Sequence, residues 1–298
     1  MDDEMNAILF PGQGSQKIGM AKEHSDSDSV FKSKIENADQ ILGYSLSEIM
    51  FNGPQEELAQ TQFTQPAIFL HSVALFEKLN LKPDMVAGHS LGEFSALVVA
   101  NVLSFEDALK LVSLRGQLMQ KAGTENPGTM AAIIGLEDDT VDEICREAEN
   151  IINKPVVSAN YNCPGQLVIS GDIDAVSKAV ELAKEKGSRM AMLLNVSGAF
   201  HSPLMEPAYK QFKTKLNETP FYKPNCPVYS NFTALATIDP DIIKKNVLYQ
   251  LMNPVKWTQT LLNMKEDGAV KFTEVGPGKV LQGLVKRTLK EVEIEGYE

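Results

Sequence analysis

Residues 83–103 read PDMVAGHSLGEFSALVVANVL, and this stretch decides the fold. A short apolar run, Pro83–Ala87, enters a glycine-bounded turn, Gly88-His89-Ser90-Leu91-Gly92, and leaves it as an almost wholly apolar helix, Leu91–Leu103. Strand, glycine-rich turn and helix in that order are the grammar of a parallel sheet covered by helices on both faces, so the fold class is α/β. Ala7–Phe10, ending at Pro11-Gly12, has the profile of another buried strand entering a loop. Pro66–Leu79 (PAIFLHSVALFEKL) is apolar enough for a mostly buried helix.

The middle of the chain has a different rhythm. After the break at Ala122–Gly128 come a strand (TMAAIIG), an acidic-led helix over Asp138–Asn150, and two strands, Pro155–Ala159 and Gln166–Ser170, joined by the turn-rich NYNCPG. A helix over Ile173–Lys186 and a strand over Arg189–Val196 complete a βαββαβ order, the ferredoxin-like arrangement. We therefore read residues 125–196 as a ferredoxin-like subdomain inserted into a core formed by residues 1–124 and 197–298. The densest polar stretch, Lys22–Ser29, reads as a surface loop.

With 298 residues the chain can bury a large core without disulfides or metals. Its 28 basic and 39 acidic residues give a net charge of −11, which argues against nucleic acid and against an anionic membrane surface as partners. Cys145, Cys163 and Cys226 are far apart and form no CxxC pattern, so they read as buried thiols in a reducing compartment. The start, MDDEMNAILFPGQG, opens on acid with a short apolar run and does not read as a secretory signal. No stretch reaches the ~18 uninterrupted apolar residues of a membrane span. The expected location is the cytoplasm.

GQGSQKIG, near the start, fails as a nucleotide fingerprint: Lys17 stands where the third glycine belongs, and Gly19 is followed by Met20-Ala21 rather than Lys-Ser/Thr. It remains a glycine-flanked loop at the end of a strand, where open α/β sheets place ligands. Gly88–Gly92 matches GxSxG, the nucleophile elbow, with a strand before it and a helix after it. The turn lifts Ser90 clear of the sheet, and the helix N-terminus offers N–H donors to a developing oxyanion. The alternative is that Ser90 and Glu93 form an SxxE capping box and only start a helix, although capping requires neither glycine.

A serine nucleophile needs a base, and the chain has four histidines. His24 lies in the polar stretch and reads as solvent-facing. His71 lies in AIFLHSVALF and reads as a hydrogen-bonded core histidine. His89 adjoins Ser90 on a turn where neighbouring side chains point apart. His201, in SGAFHSP, is the base by elimination. Most acids between Ser90 and His201 fall on amphipathic helices, so a Ser–His dyad oriented by a backbone carbonyl is expected. Arg115, in the apolar helix LKLVSLRGQLMQ, must either snorkel to the surface or pair with an anion, and the pattern leaves both open.

FPGQGSQ (Phe10–Gln16), GHSLGE (Gly88–Glu93), the Arg115 helix, GAFHSPLM (Gly198–Met205), NPVKW (Asn253–Trp257) and EVGPGKVL (Glu274–Leu281) together resemble the malonyl-CoA:acyl carrier protein transacylase family, in order and spacing, over nearly the whole chain. The resemblance implies an α/β-hydrolase-like core with a ferredoxin-like insert. It also implies that Ser90 is the acylated nucleophile and His201 its base. Gln13 and Leu91 match the positions whose backbone N–H groups form the oxyanion hole. Arg115 matches the residue that pairs with the malonyl carboxylate, and Gln250 the one whose main-chain carbonyl orients the histidine.

The implied activity is ping-pong transfer of malonyl from coenzyme A to the phosphopantetheine thiol of acyl carrier protein, for fatty acid synthesis. Malonyl-CoA is then a substrate, and no metal or other cofactor is expected; nor is an oligomer, the chain reading as a monomer. An acidic carrier protein would need a local basic patch to dock on, either Lys279, Lys286, Arg287 and Lys290 or Lys184, Lys186 and Arg189. The rivals are a transacylase serving polyketide synthesis and a serine thioesterase or hydrolase.

Overall fold

In the computed structural model, residues 5–298 are described, and their strands form two sheets. The acidic start at residues 1–4 lies outside the described residues. The strands are β1 (Asn6–Phe10), β2 (Met85–Gly88), β3 (Gly128–Ile134), β4 (Val156–Cys163), β5 (Gln166–Asp172), β6 (Met190–Leu193), β7 (Val228–Tyr229), β8 (Ala236–Thr237), β9 (Lys271–Val275) and β10 (Glu293–Tyr297). One sheet has the order β10-β9-β1-β2-β7-β8, parallel except for its edge strand β8.

The apolar runs of β1 and β2 are what a sheet buried on both faces requires. Successive side chains alternate between the faces. Ile8, Phe10 and Val86 join one core with the Thr61–Leu79 and Phe105–Glu125 helices, whereas Ala7, Leu9, Met85 and Ala87 join a second core around Trp257, Leu261 and Leu284.

The other sheet is antiparallel, in the order β4-β5-β3-β6. With the Asp138–Ile152 and Ile173–Glu185 helices it makes the ferredoxin-like unit. Those helices cover one face, burying Ala131, Ile133, Leu167 and Ile169 in a core of their own. Met130 and Val168, on the opposite face, pack instead with the main core. The chain leaves for this unit and returns from it side by side. A Cβ on Gly123 would lie 1.9 Å from the Ser197 carbonyl oxygen, and one on Gly198 would lie 2.9 Å from the Gly123 Cα.

Several local expectations are corrected. Lys22–Ser27 is a helix rather than a loop, and Asp28 caps the following helix, Ser29–Leu42, by accepting from the N–H groups of Val30 and Phe31. The helix read from Pro66 begins at Thr61. Thr61, Thr64 and Gln65 in its first turn are polar, yet all three are buried. The helix after Ser90 spans Gly92–Val99 and breaks at Asn101, which takes a left-handed conformation (φ 61°). Of NYNCPG only Pro164-Gly165 turns, because two register shifts against β5 let Asn160–Cys163 continue β4. The last strand of the insert is Met190–Leu193, shorter than read.

The three cysteines are buried and unpaired. Among the described residues no helix is long and apolar enough to cross a membrane.

Candidate active site

The turn at the end of β2 is an elbow. Ser90 has φ 51°, a conformation that non-glycine residues seldom adopt and that marks functional turns. Its flanking glycines are needed for close approach: a Cβ on Gly88 would sit 1.8 Å from the Gly92 carbonyl carbon, and one on Gly92 2.1 Å from the Phe10 oxygen. Asn231, just after β7, braces the turn from both sides. Its Oδ1 accepts from the Ser90 N–H at 2.6 Å and its Nδ2 donates to the Gly88 carbonyl at 2.7 Å.

The capping-box alternative is overturned. No side chain caps the helix that starts at Gly92. Ser90 Oγ instead meets His201 Nε2 at 2.8 Å. Glu93 turns inward and accepts from the Asn231 N–H and the Gln250 side chain.

His201, in the left-handed region itself (φ 56°), is 3% exposed. Its Nδ1 lies 2.8 Å from the main-chain carbonyl of Gln250. A carbonyl can only accept, so the proton sits on Nδ1 and Nε2 is left to take the Ser90 proton. Burial first, and the Arg115 charge second, push the His201 pKa down to about 3, against the hydrogen bond to Gln250.

The other histidines are placed elsewhere. His89 points away from Ser90, bonding Asn162 Oδ1 at 2.8 Å and packing edge-on to Trp257. His71 is buried as expected but forms no hydrogen bond among the described residues. It packs against His24 and Phe31, and burial pulls its pKa to about 3, so it behaves as an apolar ring. His24 is half-buried rather than solvent-facing, with Nε2 at 3.0 Å from the Glu298 carbonyl.

Arg115 does not snorkel. It is 1% exposed, and its partners are neutral: Gln65 Oε1 and Gln250 Oε1 at 2.8 Å each, and Ser90 Oγ at 3.2 Å. Among the described residues its Nε has no hydrogen-bond partner. Burial lowers its pKa to about 10, with the Glu93 charge acting the other way, so the guanidinium stays charged at neutral pH.

Ser90, His201, Gln13 and Leu91 all line one cavity of about 350 Å³. No hydrogen bond from the main-chain N–H of Gln13 or Leu91 is found among the described residues. Met130, Val168 and Leu194 of the insert form one wall, and Leu281, Leu284 and Arg287 another. Arg287 donates to Gln166 of β5, which also lines the cavity. Of the cluster from Lys279 to Lys290, Lys286 and Arg287 lie on a helix, Val280–Thr288, that borders the cavity, while Lys279 immediately precedes it and Lys290 follows it. Lys184, Lys186 and Arg189 are exposed at the far end of an insert helix.

The structure thus brings together Ser90, His201, Gln250, Gln13, Leu91 and Arg115. The sequence reading missed Gln65, Asn231 and the inward role of Glu93. Glu93 lay within GHSLGE, but the other two belong to no motif.

An acyl transferase domain model matches residues 8–297. A malonyl CoA-acyl carrier protein transacylase from Staphylococcus aureus is 42% identical over 293 residues, covering 98% of this chain and 95% of that protein. An acyl carrier protein S-malonyltransferase from Vibrio cholerae, solved at 1.7 Å, superposes with a TM-score of 0.94 at 44% identity, covering 98% of this chain and 96% of that one. A malonyl-transacylase solved in complex with a type II polyketide acyl-carrier protein superposes with a TM-score of 0.95 at 38% identity, covering 98% and 96%.

Proposed function

The chain belongs to the acyl transferase domain family, among the malonyl-CoA:acyl carrier protein transacylases, and from that premise we propose how its residues divide the work. The enzyme moves a malonyl group from coenzyme A to acyl carrier protein in fatty acid synthesis. The observation that carries the assignment of roles is the chain of contacts Ser90 Oγ, His201 Nε2, His201 Nδ1, Gln250 carbonyl, with each link at 2.8 Å.

In the first half-reaction His201 Nε2 takes the Ser90 proton as Oγ bonds to the thioester carbon. The oxyanion is held by the N–H groups of Gln13 and Leu91, which act mainly on the transition state. The C–S bond then breaks, and His201 returns the proton to the departing coenzyme A thiolate. In the second half-reaction the phosphopantetheine thiol gives its proton to His201 and attacks the malonyl ester, and Ser90 leaves with the proton restored. The cycle balances with side chains and main-chain amides alone, so the proposal includes no metal or redox cofactor.

Arg115 pairs with the malonyl carboxylate, its planar fork suiting that group. Burial first and the Arg115 charge second hold the His201 pKa low; pairing offsets the second, so the correct acyl group makes its own base stronger.

Intact-protein mass spectrometry after brief exposure to malonyl-CoA tests this reading. The expected result is a gain of one malonyl group, lost in Ser90→Ala and discharged by carrier protein. Release of malonate to water without need of carrier protein would instead identify a hydrolase.

The carrier protein docks over the Val280–Thr288 helix, where exposed Lys286 and Arg287 stand beside the cavity. Lys286→Glu then raises KM for carrier protein and leaves KM for malonyl-CoA unchanged; equal changes in both would place docking elsewhere. The proposal further has the chain work as a cytoplasmic monomer, without nucleic acid or membrane as a partner. Service to a polyketide carrier protein is favoured by one solved relative, the transacylase bound to such a partner. Comparison of kcat/KM on the two kinds of carrier protein decides between the pathways.

A further inference from the structure

Behind the cavity lies a buried carboxyl group that takes no part in the two half-reactions. Glu93 is 1% exposed. Its Oε2 accepts from Gln250 Nε2 at 2.7 Å and from the Asn231 N–H at 3.1 Å. The other end of the same Gln250 amide, Oε1, accepts from Arg115 Nη2 at 2.8 Å. Partner chemistry fixes this orientation: a guanidinium only donates, so the amide oxygen must face it, and the amide nitrogen is left for the carboxylate. Cation, amide dipole and anion stand head to tail. The nearest partners of Arg115 are all neutral, and among the described residues the carboxylate whose charge acts on it is Glu93.

We propose that Glu93 is a positioning residue that sets acyl specificity: through the Gln250 side chain it is the resting counter-charge of Arg115, and an incoming acyl carboxylate must compete with it. The inference rests on the transacylase reading above. While Glu93 is ionised, the buried unit is neutral overall, and a malonyl carboxylate entering it brings an uncompensated negative charge into a low-dielectric site. Once Glu93 is protonated, Arg115 is left without its counter-charge, and the same carboxylate is drawn in. An acetyl group carries no charge and is indifferent to either state. The balance between the two substrates therefore follows the charge on Glu93.

That charge changes within the working range. Burial raises the Glu93 pKa to about 7, against hydrogen bonds from Asn231 and Gln250 and the charge of Arg115. The surrounding elements present few other titratable groups. Arg115 on the Phe105–Glu125 helix stays charged up to about pH 10. The imidazoles of His89 and His201 are both held below their usual value by burial. Gln250, Asn231 and Gln65 are neutral amides.

The test is the ratio of kcat/KM for malonyl-CoA to that for acetyl-CoA, measured from pH 6 to pH 8.5. Because kcat/KM reports titrations of the free enzyme, which both arms share, that of His201 cancels, as does any titration of coenzyme A. In the wild type the ratio falls as pH rises through the Glu93 transition, by about three- to tenfold for two charges separated by the width of a guanidinium and an amide. In Glu93→Gln the ratio stays at its low-pH value throughout. A wild-type ratio that does not change with pH would overturn the inference, as would a Glu93→Gln enzyme that loses both activities equally and keeps the wild-type ratio and its pH dependence. If Glu93→Gln does not fold, the wild-type profile alone decides. Absence of malonyl transfer in the wild type would remove the functional reading itself; transfer with a flat ratio removes only this inference.

Discussion

The two sheets of this molecule are built on opposite plans. The six-stranded sheet is covered on both faces, and its strands send alternate residues into separate cores on either side. The four-stranded sheet is covered by its own helices on one face only and turns the other, with Met130 and Val168, toward the cavity. A strand gripped from both sides can hold a strained turn at its tip, and Ser90 sits at such a tip. A sheet whose second face packs on the core and lines the cavity can offer side chains to a substrate without holding any reacting atom. Chemistry and shape are thereby assigned to different sheets.

Three substitutions sharpen or break that comparison. The largest effect belongs to Gly88→Ala, whose new methyl would overlap the Gly92 backbone. The elbow cannot then close, and we expect a loss of more than about 4 kcal/mol of stability together with all acyl-enzyme formation. Chemical denaturation and mass spectrometry check it, and a stable, active variant would show that the turn has another route.

Next comes Arg115→Ala. Removing one partner of a buried charge pair typically costs about 2–5 kcal/mol, so kcat/KM for malonyl-CoA falls by about one and a half to three and a half orders of magnitude. The value for acetyl-CoA changes far less. An unchanged malonyl preference would refute the role given to Arg115.

The smallest effect is that of Met130→Ala on the insert's cavity face. Truncating a buried methionine lowers stability by about 2 kcal/mol, read by thermal denaturation, while malonyl transfer keeps its order of magnitude. A loss of activity matching that of Arg115→Ala would move chemistry into the insert and end the division of labour.

How far the sequence could be read follows the range of the physics involved. The elbow was legible because its constraint is local: two glycines and a serine within five residues, flanked by a strand and a helix. The order βαββαβ was legible because hydrophobic periodicity is also local. His201 emerged by elimination, and Gln250 only through the family resemblance, since a main-chain carbonyl leaves no mark on residue type. Glu93 was ambiguous because the same SxxE spacing serves a cap and a buried anion, and the partners that decide between them, Asn231 and Gln250, lie well over a hundred positions away. Thr61 and Gln65 carry no local mark of their place, because burial of polar side chains is set by what they meet. Thr61 meets Gln13 and Ser197, and Gln65 meets Arg115.

The crossing at Gly123 and Gly198 has a consequence for how such a molecule could arise. Backbone touches backbone there, so the entire excursion between them begins and ends at almost one point. The entropy of closing a segment grows only with the logarithm of its length once the ends are pinned together. From the standpoint of the hydrolase-like scaffold, a tight turn and a whole accessory module are nearly interchangeable at that junction. A roof of a different size or lining could be grafted there while the nucleophile beneath keeps its geometry.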